Sequence, residues 1–248
     1  MTNWVLAAGP SLGEQFKLNF IDGDRWKWIV DGLLATLEIT AVALVIGIVI
    51  GVVVAAVRSS YEKNKDTMKA KGGVGYAVLC FFNAVCKLYL TVIRGTPTVV
   101  QLLICYFIIF SKWTNGIPVA MISFGINSGA YVAEIFRSGI MSVDEGQFEA
   151  SRSLGFGYLP TMRYVVVPQA FKAVLPALGN EFIVLIKETS IAGYVGIMDL
   201  TKAGDLIRGR TFSAFMPLIA VALIYLTLVM LLTWLLGKLE RRLRKNER

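Results

Sequence analysis

The sequence predicts an all-α polytopic membrane protein with about five transmembrane helices. Of its 248 residues, 56% are hydrophobic and the mean hydropathy is +0.64, whereas soluble domains are about 45–50% apolar. Long apolar runs alternate with short polar segments along the whole chain. We therefore expect residues 1–248 to form a single membrane domain.

Residues 1–30 predict an interfacial segment that precedes the first span. Phe20, Trp26 and Trp28 are interleaved with charged residues, a composition typical of segments at the lipid–water interface. The first ten residues carry no Lys or Arg, so no cleaved secretory signal is expected. Up to Leu12, a disordered leader is an equally good interpretation.

Gly32–Val57 predicts the first span, because its 26 residues can cross a ~30 Å hydrocarbon layer. Gly47, Gly51 and Ala55 recur every four residues and predict close helix packing, either within the chain or against a partner chain. Arg58–Gly75 is rich in basic residues and predicts a polar loop.

The second crossing is predicted to be broken. Tyr76–Ile93 is followed by Arg94-Gly95-Thr96-Pro97, and Thr98–Phe110 then adds only thirteen apolar residues. Thirteen residues make about 20 Å of helix, which is too short to cross alone. We therefore count both pieces as one crossing.

The third span, Ile117–Ile140, carries a polar stripe. Its polar residues are spaced by four, three and four and share one helix face: Asn127, Tyr131, Glu134 and Ser138. Polar groups inside a membrane are costly unless they face water or another polar helix, so the stripe is a candidate pathway lining. For Glu134, an ion pair with Arg137 is an equally good interpretation.

A polar segment at about residues 141–172 predicts a helical hairpin that projects into water. Asp144, Glu145 and Glu149 suit the start of a short helix, and Gly155 suits its end. Beyond a turn, Thr161–Lys172 is predicted to be a second helical piece that returns to the membrane.

The fourth span, Ala173–Ile197, carries Asn180, Glu181, Lys187 and Glu188. Either partner helices satisfy these groups, or the helix is interrupted around Thr189–Gly193 beside an aqueous cavity. Farther along, Asp199–Arg210 is predicted to be a polar outer loop, and Ala214–Leu236 is predicted to be the fifth span.

The distribution of basic residues predicts the orientation. On this threading, fifteen Lys and Arg residues lie on the side of the hairpin and seven on the other side. Because basic residues favour the cytoplasmic side, we expect the amino terminus outside and the carboxyl terminus in the cytoplasm. The same topology explains the net charge of +8 without nucleic acid as a partner.

Metal and catalytic chemistry are not expected. The chain has no histidine, the commonest metal ligand. Cys80, Cys86 and Cys105 lie in or beside apolar segments without ligand spacing, so they are interpreted as small buried hydrophobic residues. No catalytic residue, metal ligand or cofactor is assigned to this chain.

Motifs over most of the chain resemble the permease subunits of polar-amino-acid ATP-binding-cassette (ABC) importers. The hairpin resembles their EAA signature: Glu149-Ala150-Ser151, then Gly155, then an aliphatic run before Pro168. The other matching motifs are Arg94-Gly95-Thr96-Pro97 with Gln101, Tyr131–Gly139, Gly146-Gln147, Pro168-Gln169-Ala170 and Lys187-Glu188-Thr189-Ser190. Ser151 departs from the second alanine of the signature, and the basic loop is longer than is usual.

The resemblance implies a type I ABC importer permease fold in the cytoplasmic membrane of a bacterium. It implies two ATP-binding subunits, a second permease chain of the same or a related kind, an external amino-acid-binding protein and membrane lipid as partners. ATP and Mg²⁺ would be bound by the ATPase, since this chain has no G-x-x-x-x-G-K-[ST] motif.

Two sets of site residues follow from the resemblance. Those implied to couple the chain to the ATPase are Gln147, Glu149, Ala150, Ser151, Gly155 and Pro168. Those implied to line a substrate pathway are Asn127, Tyr131, Glu134, Asn180 and Glu181. The alternative function is an ion-coupled secondary transporter or channel that uses Glu134 and Glu181. This alternative is disfavoured because the sequence shows no internal repeat and because a secondary transporter would leave the hairpin unexplained.

Overall fold

The computed structural model describes residues 11–71 and 73–245, and these residues are mostly helical, without β-strands. The α-helices, in chain order, are α1 (Leu12–Phe16), α2 (Trp26–Lys71), α3 (Val74–Gly95), α4 (Thr98–Ile104), α5 (Gly116–Met141), α6 (Glu145–Ser153), α7 (Tyr158–Thr161), α8 (Val167–Glu188), α9 (Leu200–Thr211) and α10 (Phe215–Lys245). Short 3₁₀ or π segments join several of them: Lys17–Ile21, Asp22–Asp24, Cys105–Ile109, Met162–Val166 and Thr189–Val195.

Five helical stretches within the described residues are long and apolar enough to cross a membrane, which confirms the predicted number. They are Trp26–Lys63, Val74–Gly95, Gly116–Met141, Tyr158–Val195 and Phe215–Leu243. The shorter apolar piece Thr98–Ile109 follows the break at Arg94–Pro97. Its length is consistent with one broken second crossing.

Helix α5 is the centre of the bundle, and glycines let α2 approach it closely. A Cβ added at Gly47 would lie 3.0 Å from Ser128 Oγ, and one at Gly51 would lie 2.5 Å from Val132 Cγ1. A Cβ at Gly125 of α5 would meet Ile46 Cγ2 at 2.6 Å. The small residues predicted on the first span therefore pack within the chain rather than against a partner.

The first helix continues far beyond its membrane-crossing part. The basic segment Arg58–Gly75 was predicted to be a loop, and this prediction was wrong, since α2 is helical to Lys71. The segment 58–71 contains no Gly or Pro, and Arg58 pairs with Glu62 one turn on at 3.1 Å, so nothing ends the helix before the glycines at 72 and 73.

The end of the bundle opposite the hairpin is closed by the amino-terminal segment and α9. The side chain of Asn19 accepts a hydrogen bond from Thr211 Oγ1 at 2.7 Å, and Phe20 packs with Leu200 and Val221. Residues 1–10, including most of the possible disordered leader, lie outside the described residues.

The prediction of a polar outer loop at Asp199–Arg210 was also wrong. Asp199 caps α9 by accepting hydrogen bonds from the backbone N–H groups of Thr201 and Lys202, at 3.1 and 3.0 Å. The apolar residues of α9 follow helical spacing and are buried: Leu200, Ala203, Gly204 and Ile207. A capping residue followed by this spacing predicts an amphipathic helix.

The fourth crossing differs from the prediction at its start and agrees with it at its end. Helix α7, Met162–Val166 and α8 follow one another without a break, so Thr161–Lys172 is not a separate helical piece. Beyond Glu188 the α-helix gives way to a 3₁₀ segment at Thr189–Val195. The structure thus contains the helix interruption that one interpretation predicted, and it also satisfies Glu181 from a neighbouring helix, as the other predicted, through a hydrogen bond from Ser128 of α5.

Candidate functional site: the α6 hairpin and the polar face of α5

Helix α6 is a nine-residue helix that local sequence fixes at both ends. Asp144 caps its start by accepting a hydrogen bond from the Gly146 backbone N–H at 2.7 Å. At its end Gly155 has φ +82°, and the backbone N–H groups of Gly155 and Phe156 donate to Arg152 O and Ser151 O at 2.9 and 3.0 Å. This is the Schellman arrangement, in which a left-handed glycine ends the helix.

The residues implied to couple the chain to an ATPase occupy two different environments on this hairpin. Four of them are exposed on it: Gln147, Glu149, Ala150 and Gly155. Ser151 is buried, and its hydroxyl donates to Gln147 O at 2.6 Å. A serine therefore fits this small inward-facing position without leaving its hydroxyl unpaired. Pro168 is exposed in α8, directly after the π segment Met162–Val166.

An apolar cluster holds the two limbs of the hairpin together. Val143, Val166 and Ala170 are buried, with Phe148 and Met162 packed against them. Gln169 Nε2 also donates to Gln147 Oε1 at 3.4 Å. These contacts fix α6 relative to α8.

The outer surface of the hairpin is apolar as well. Leu154 is 78% exposed and Leu159 is 76% exposed, and Tyr164 and Phe156 are exposed beside them. Exposed apolar side chains at the tip of a capped helix are typical of a protein-docking surface.

The predicted polar stripe of α5 begins with a fully buried amide. Asn127 is 1% exposed, and its Nδ2 donates to Gln101 Oε1 at 2.9 Å. Gln101 Nε2 in turn donates to Ile93 O and to Thr96 Oγ1, both at 2.8 Å. The break between α3 and α4 is therefore fastened to α5 through two amide side chains.

Farther along α5, Glu134 lies in a network of charges. Arg137 donates to both of its carboxylate oxygens, and Arg94 of α3 lies 4.0 Å from it. The pairing with Arg137 that the sequence left open is thus present. Tyr131 is 37% exposed, with the Arg94 guanidinium 5.8 Å from its ring centre.

The two candidates on α8 point in different directions. Glu181 is buried and accepts a hydrogen bond from Ser128 Oγ of α5 at 2.8 Å, whereas its neighbour Asn180 is exposed. Adjacent helical residues point about 100° apart, so Asn127 turns toward α4 and Ser128 toward α8. The five candidate residues therefore do not line one common cavity within a single chain.

Sequence reasoning missed two partners of these residues. Gln101 belonged to a matching motif but was not assigned to the pathway, and Ser128 was not singled out. The signal for Ser128 was its place beside Asn127 in a glycine-rich span facing another polar span. A hydroxyl of this kind is a common hydrogen-bond donor between membrane helices.

Metal binding has no support in the part of the chain that the structure describes. No group of three or more His, Cys, Asp or Glu side chains is placed there to hold an ion. Of the cysteines, Cys86 and Cys105 are buried and Cys80 is half-buried, and all three are free thiols.

A bundle of five helices long and apolar enough to cross a membrane, with a capped polar hairpin between two of them, defines an integral membrane protein. The chain belongs to the family described as "Binding-protein-dependent transport system inner membrane component", which matches residues 80–245. It is the permease subunit of an amino-acid ABC importer with the type I permease fold.

Similar proteins come from bacteria, and a solved structure shares the fold. A Rickettsia bellii protein named as the glutamine transport system permease GlnP is 38% identical over 221 residues, covering 87% of this chain and 93% of its own length. The Escherichia coli K12 glutamine transport system permease protein GlnP is 39% identical over 166 residues, covering 65% of this chain and 76% of its own. The crystal structure of "an amino acid ABC transporter with histidines" superposes with a TM-score of 0.77 at 38% identity, covering 90% of this chain and 98% of that one.

Proposed function

We propose that this permease imports a polar or charged amino acid across the bacterial cytoplasmic membrane, driven by ATP hydrolysis on two separate ATPase subunits. The hairpin at about residues 141–172 is the coupling element that docks on an ATPase. A second permease chain, the same or related, and an external amino-acid-binding protein complete the assembly. Glutamine is the first substrate to test, because two of the similar permeases are named for glutamine transport.

The observation that carries this proposal is the apolar surface of the hairpin. Leu154 and Leu159 are each more than three-quarters exposed, on a helix whose two ends are fixed by a cap and a left-handed glycine. A rigid exposed helix of this kind transmits a displacement of the docked ATPase to the rest of the chain without unfolding. Closure of two ATPases around nucleotide would move two such helices together and re-orient the spans.

The proposed orientation is supported by the position of two basic segments, which lie at the same end of the bundle as the hairpin. Lys63, in the basic last part of α2, contacts Glu145 of α6 at 3.4 Å, and Glu240 of α10 lines a cavity of about 770 Å³ together with Asp144 and Gln169. The basic end of α2 and the end of α10 thus both lie near the hairpin. The segments predicted on the hairpin side carry fifteen basic residues in the sequence and those on the other side carry seven, and by the positive-inside rule this excess favours a cytoplasmic hairpin.

For the pathway, we propose that Asn127, Tyr131, Glu134, Asn180 and Glu181 contribute once two permease chains are assembled. Tyr131 and Asn180 are exposed in the single chain and lie within membrane-crossing helices. Polar side chains there need a water-filled route or a facing helix. A pathway between two chains supplies either.

Two glycines at the tip of the hairpin give a matched test of coupling. Gly155 has φ +82° and Gly157 has φ −74°, while a Cβ at either would meet no atom closer than 4.0 Å. Gly155→Val therefore strains the tip by about 1–2 kcal/mol, and Gly157→Val does not. In proteoliposomes with the ATPase and the binding protein, we expect Gly155→Val to lower glutamine uptake per ATP hydrolysed about tenfold and Gly157→Val less than twofold.

Two results would contradict the proposal. One is equal uptake per ATP for the wild type and both variants, which would remove the hairpin from coupling. The other is uptake by the wild type that persists without ATP under an ion gradient, which would favour the secondary transporter.

A further inference from the structure

Helix α2 reaches the coupling hairpin because it is much longer than a membrane span. Its 46 residues make about 69 Å of helix, more than twice the ~30 Å hydrocarbon layer. The last part, Arg58–Lys71, is the basic segment that precedes the region matched by the family, residues 80–245. We call residues 58–71 the α2 extension.

Lys63 of the α2 extension is held between two side chains of α6. Its Nζ lies 3.4 Å from Glu145 Oε1 and 4.3 Å from the ring centre of Phe148. The Lys63 side chain is 21% exposed, so most of it is covered although Glu145 is 84% exposed. A cation over an aromatic ring and beside a carboxylate combines two attractions in one place.

The preceding residue of α2 makes a different connection. Glu62 accepts a hydrogen bond from Arg58 at 3.1 Å and lies 3.5 Å from Arg137 of α5. Arg137 also bonds Glu134. Because neighbouring helical residues point about 100° apart, Glu62 faces α5 while Lys63 faces α6.

Phe148 connects this contact to the interior of the hairpin. Its ring packs with the buried cluster of Val143, Val166 and Ala170, so Lys63 contacts a residue that is fixed to both limbs. The contact therefore joins the first membrane helix to the hairpin as a unit.

We infer that the α2 extension is a strut that positions the coupling hairpin, with Lys63 as the positioning residue and Glu62 as its anchor on α5. When α6 is displaced, the strut carries the displacement directly into the first span, α2, in addition to the covalent connections through α5 and α8. This inference deepens the proposed function and rests on it for the meaning of the displacement. The strut itself is a geometric claim that can be tested on the chain alone.

The first test measures coupling. In proteoliposomes with the ATPase and binding protein, we expect Lys63→Met to lower amino-acid uptake per ATP hydrolysed threefold to tenfold, because the apolar stem stays while the charge is lost. Lys65→Met, a change of an exposed lysine on the same extension, should stay within 1.5-fold of the wild type. The single variants Lys63→Glu and Glu145→Lys should each lower the ratio, and the double variant should recover at least half of it.

The second test measures geometry without the ATPase. Spin labels are placed at Lys69→Cys and Ser153→Cys in the full-length chain in nanodiscs, with the three native cysteines replaced by serine. We expect one narrow distance distribution, which broadens when Lys63→Met is added and does not broaden with Lys65→Met.

The outcomes separate the two proposals. An unchanged distance distribution in Lys63→Met, or a coupling ratio equal to that of Lys65→Met, overturns the strut even if wild-type uptake is ATP-driven and Gly155→Val lowers uptake per ATP hydrolysed as expected. If wild-type uptake needs no ATP, the proposed function fails, while the distance measurement still decides whether the strut exists. Loss of coupling without recovery in the charge-swapped double variant would also overturn the specific role of the Lys63–Glu145 pair.

Discussion

Asp199 begins α9 at the end of the bundle opposite the hairpin, and its carboxylate is fully buried. Burial raises the pKa of Asp199 above its ordinary value, although hydrogen bonds from the backbone N–H groups of Lys202 and Thr201 partly offset this. The folded protein therefore binds this proton more tightly than the unfolded chain does. Its contribution to stability is most favourable below pH about 4 and becomes less favourable as the pH rises through the raised pKa.

Two substitutions of Asp199 separate the cap from the charge. Asn keeps only one of the two oxygens that accept from the Thr201 and Lys202 backbone N–H groups and cannot ionise, so the stability of Asp199→Asn relative to the wild type should be higher at pH 7 than at pH 4. Asp199→Ala loses the cap and should lower stability by about 1 kcal/mol. Thermal unfolding of the purified chain at pH 4 to 7 measures both, and parallel pH profiles for the wild type and Asp199→Asn would contradict the first expectation.

At the scale of elements, the α2–α5 contact depends on the absence of side chains at a few positions. A Cβ at Gly51 would lie 2.5 Å from Val132 Cγ1 and 2.8 Å from the backbone N of Ala133. A Cβ at Gly237 of α10, another helical glycine in a crossing segment, would meet nothing within 4 Å. The same substitution at the two positions should therefore have opposite effects.

Gly51→Ala should lower the stability of the bundle by about 1–3 kcal/mol, because two close-packed backbones must separate. Gly237→Ala should leave stability unchanged or raise it by up to about 1 kcal/mol, since alanine is the better helix former. The midpoint of thermal unfolding in the same detergent compares them directly. A similar midpoint for the two variants would show that the α2–α5 contact is not tightly packed.

The elements also show what the sequence could and could not predict. Length and hydropathy were enough for the five crossings, because a membrane demands about 20 apolar residues per helix. They were not enough for the α2 extension or for α9, since a charged segment was equated with a loop. Both segments carry helix signals that do not depend on hydropathy: Arg58 pairs with Glu62 at i, i+4, and Asp199 precedes residues at i, i+3, i+4 and i+7 spacing.

For the candidate site, the hairpin could be predicted because capping and glycine are local effects. Asp144 and Gly155 act within their own turns of helix. The partners of Asn127 and Glu181 could not be predicted, because they lie 26 residues and 53 residues away in the chain. Which helix faces which is decided by packing, and one sequence does not contain that information.

For the whole molecule, the orientation of the bundle decides whether the hairpin can meet a cytoplasmic ATPase at all. Exposed residues are available at both ends of the described bundle. Lys69 and Ser153 lie at the hairpin end, and Asp22 lies in the amino-terminal segment that packs at the other end. Single cysteines at these positions, in a chain whose three native cysteines are replaced by serine, report the side of the membrane that each occupies.

In right-side-out vesicles, a membrane-impermeant maleimide should label Asp22→Cys at once, and Lys69→Cys and Ser153→Cys only after the membrane is opened with detergent. The physical reason is the excess of basic residues at the hairpin end, which resists translocation across the membrane. Inverted vesicles are the control and should give the reverse pattern. Labelling of Ser153→Cys from outside in intact vesicles would place the hairpin where no ATP-driven partner can reach it, and a permease worked through that hairpin would then be impossible.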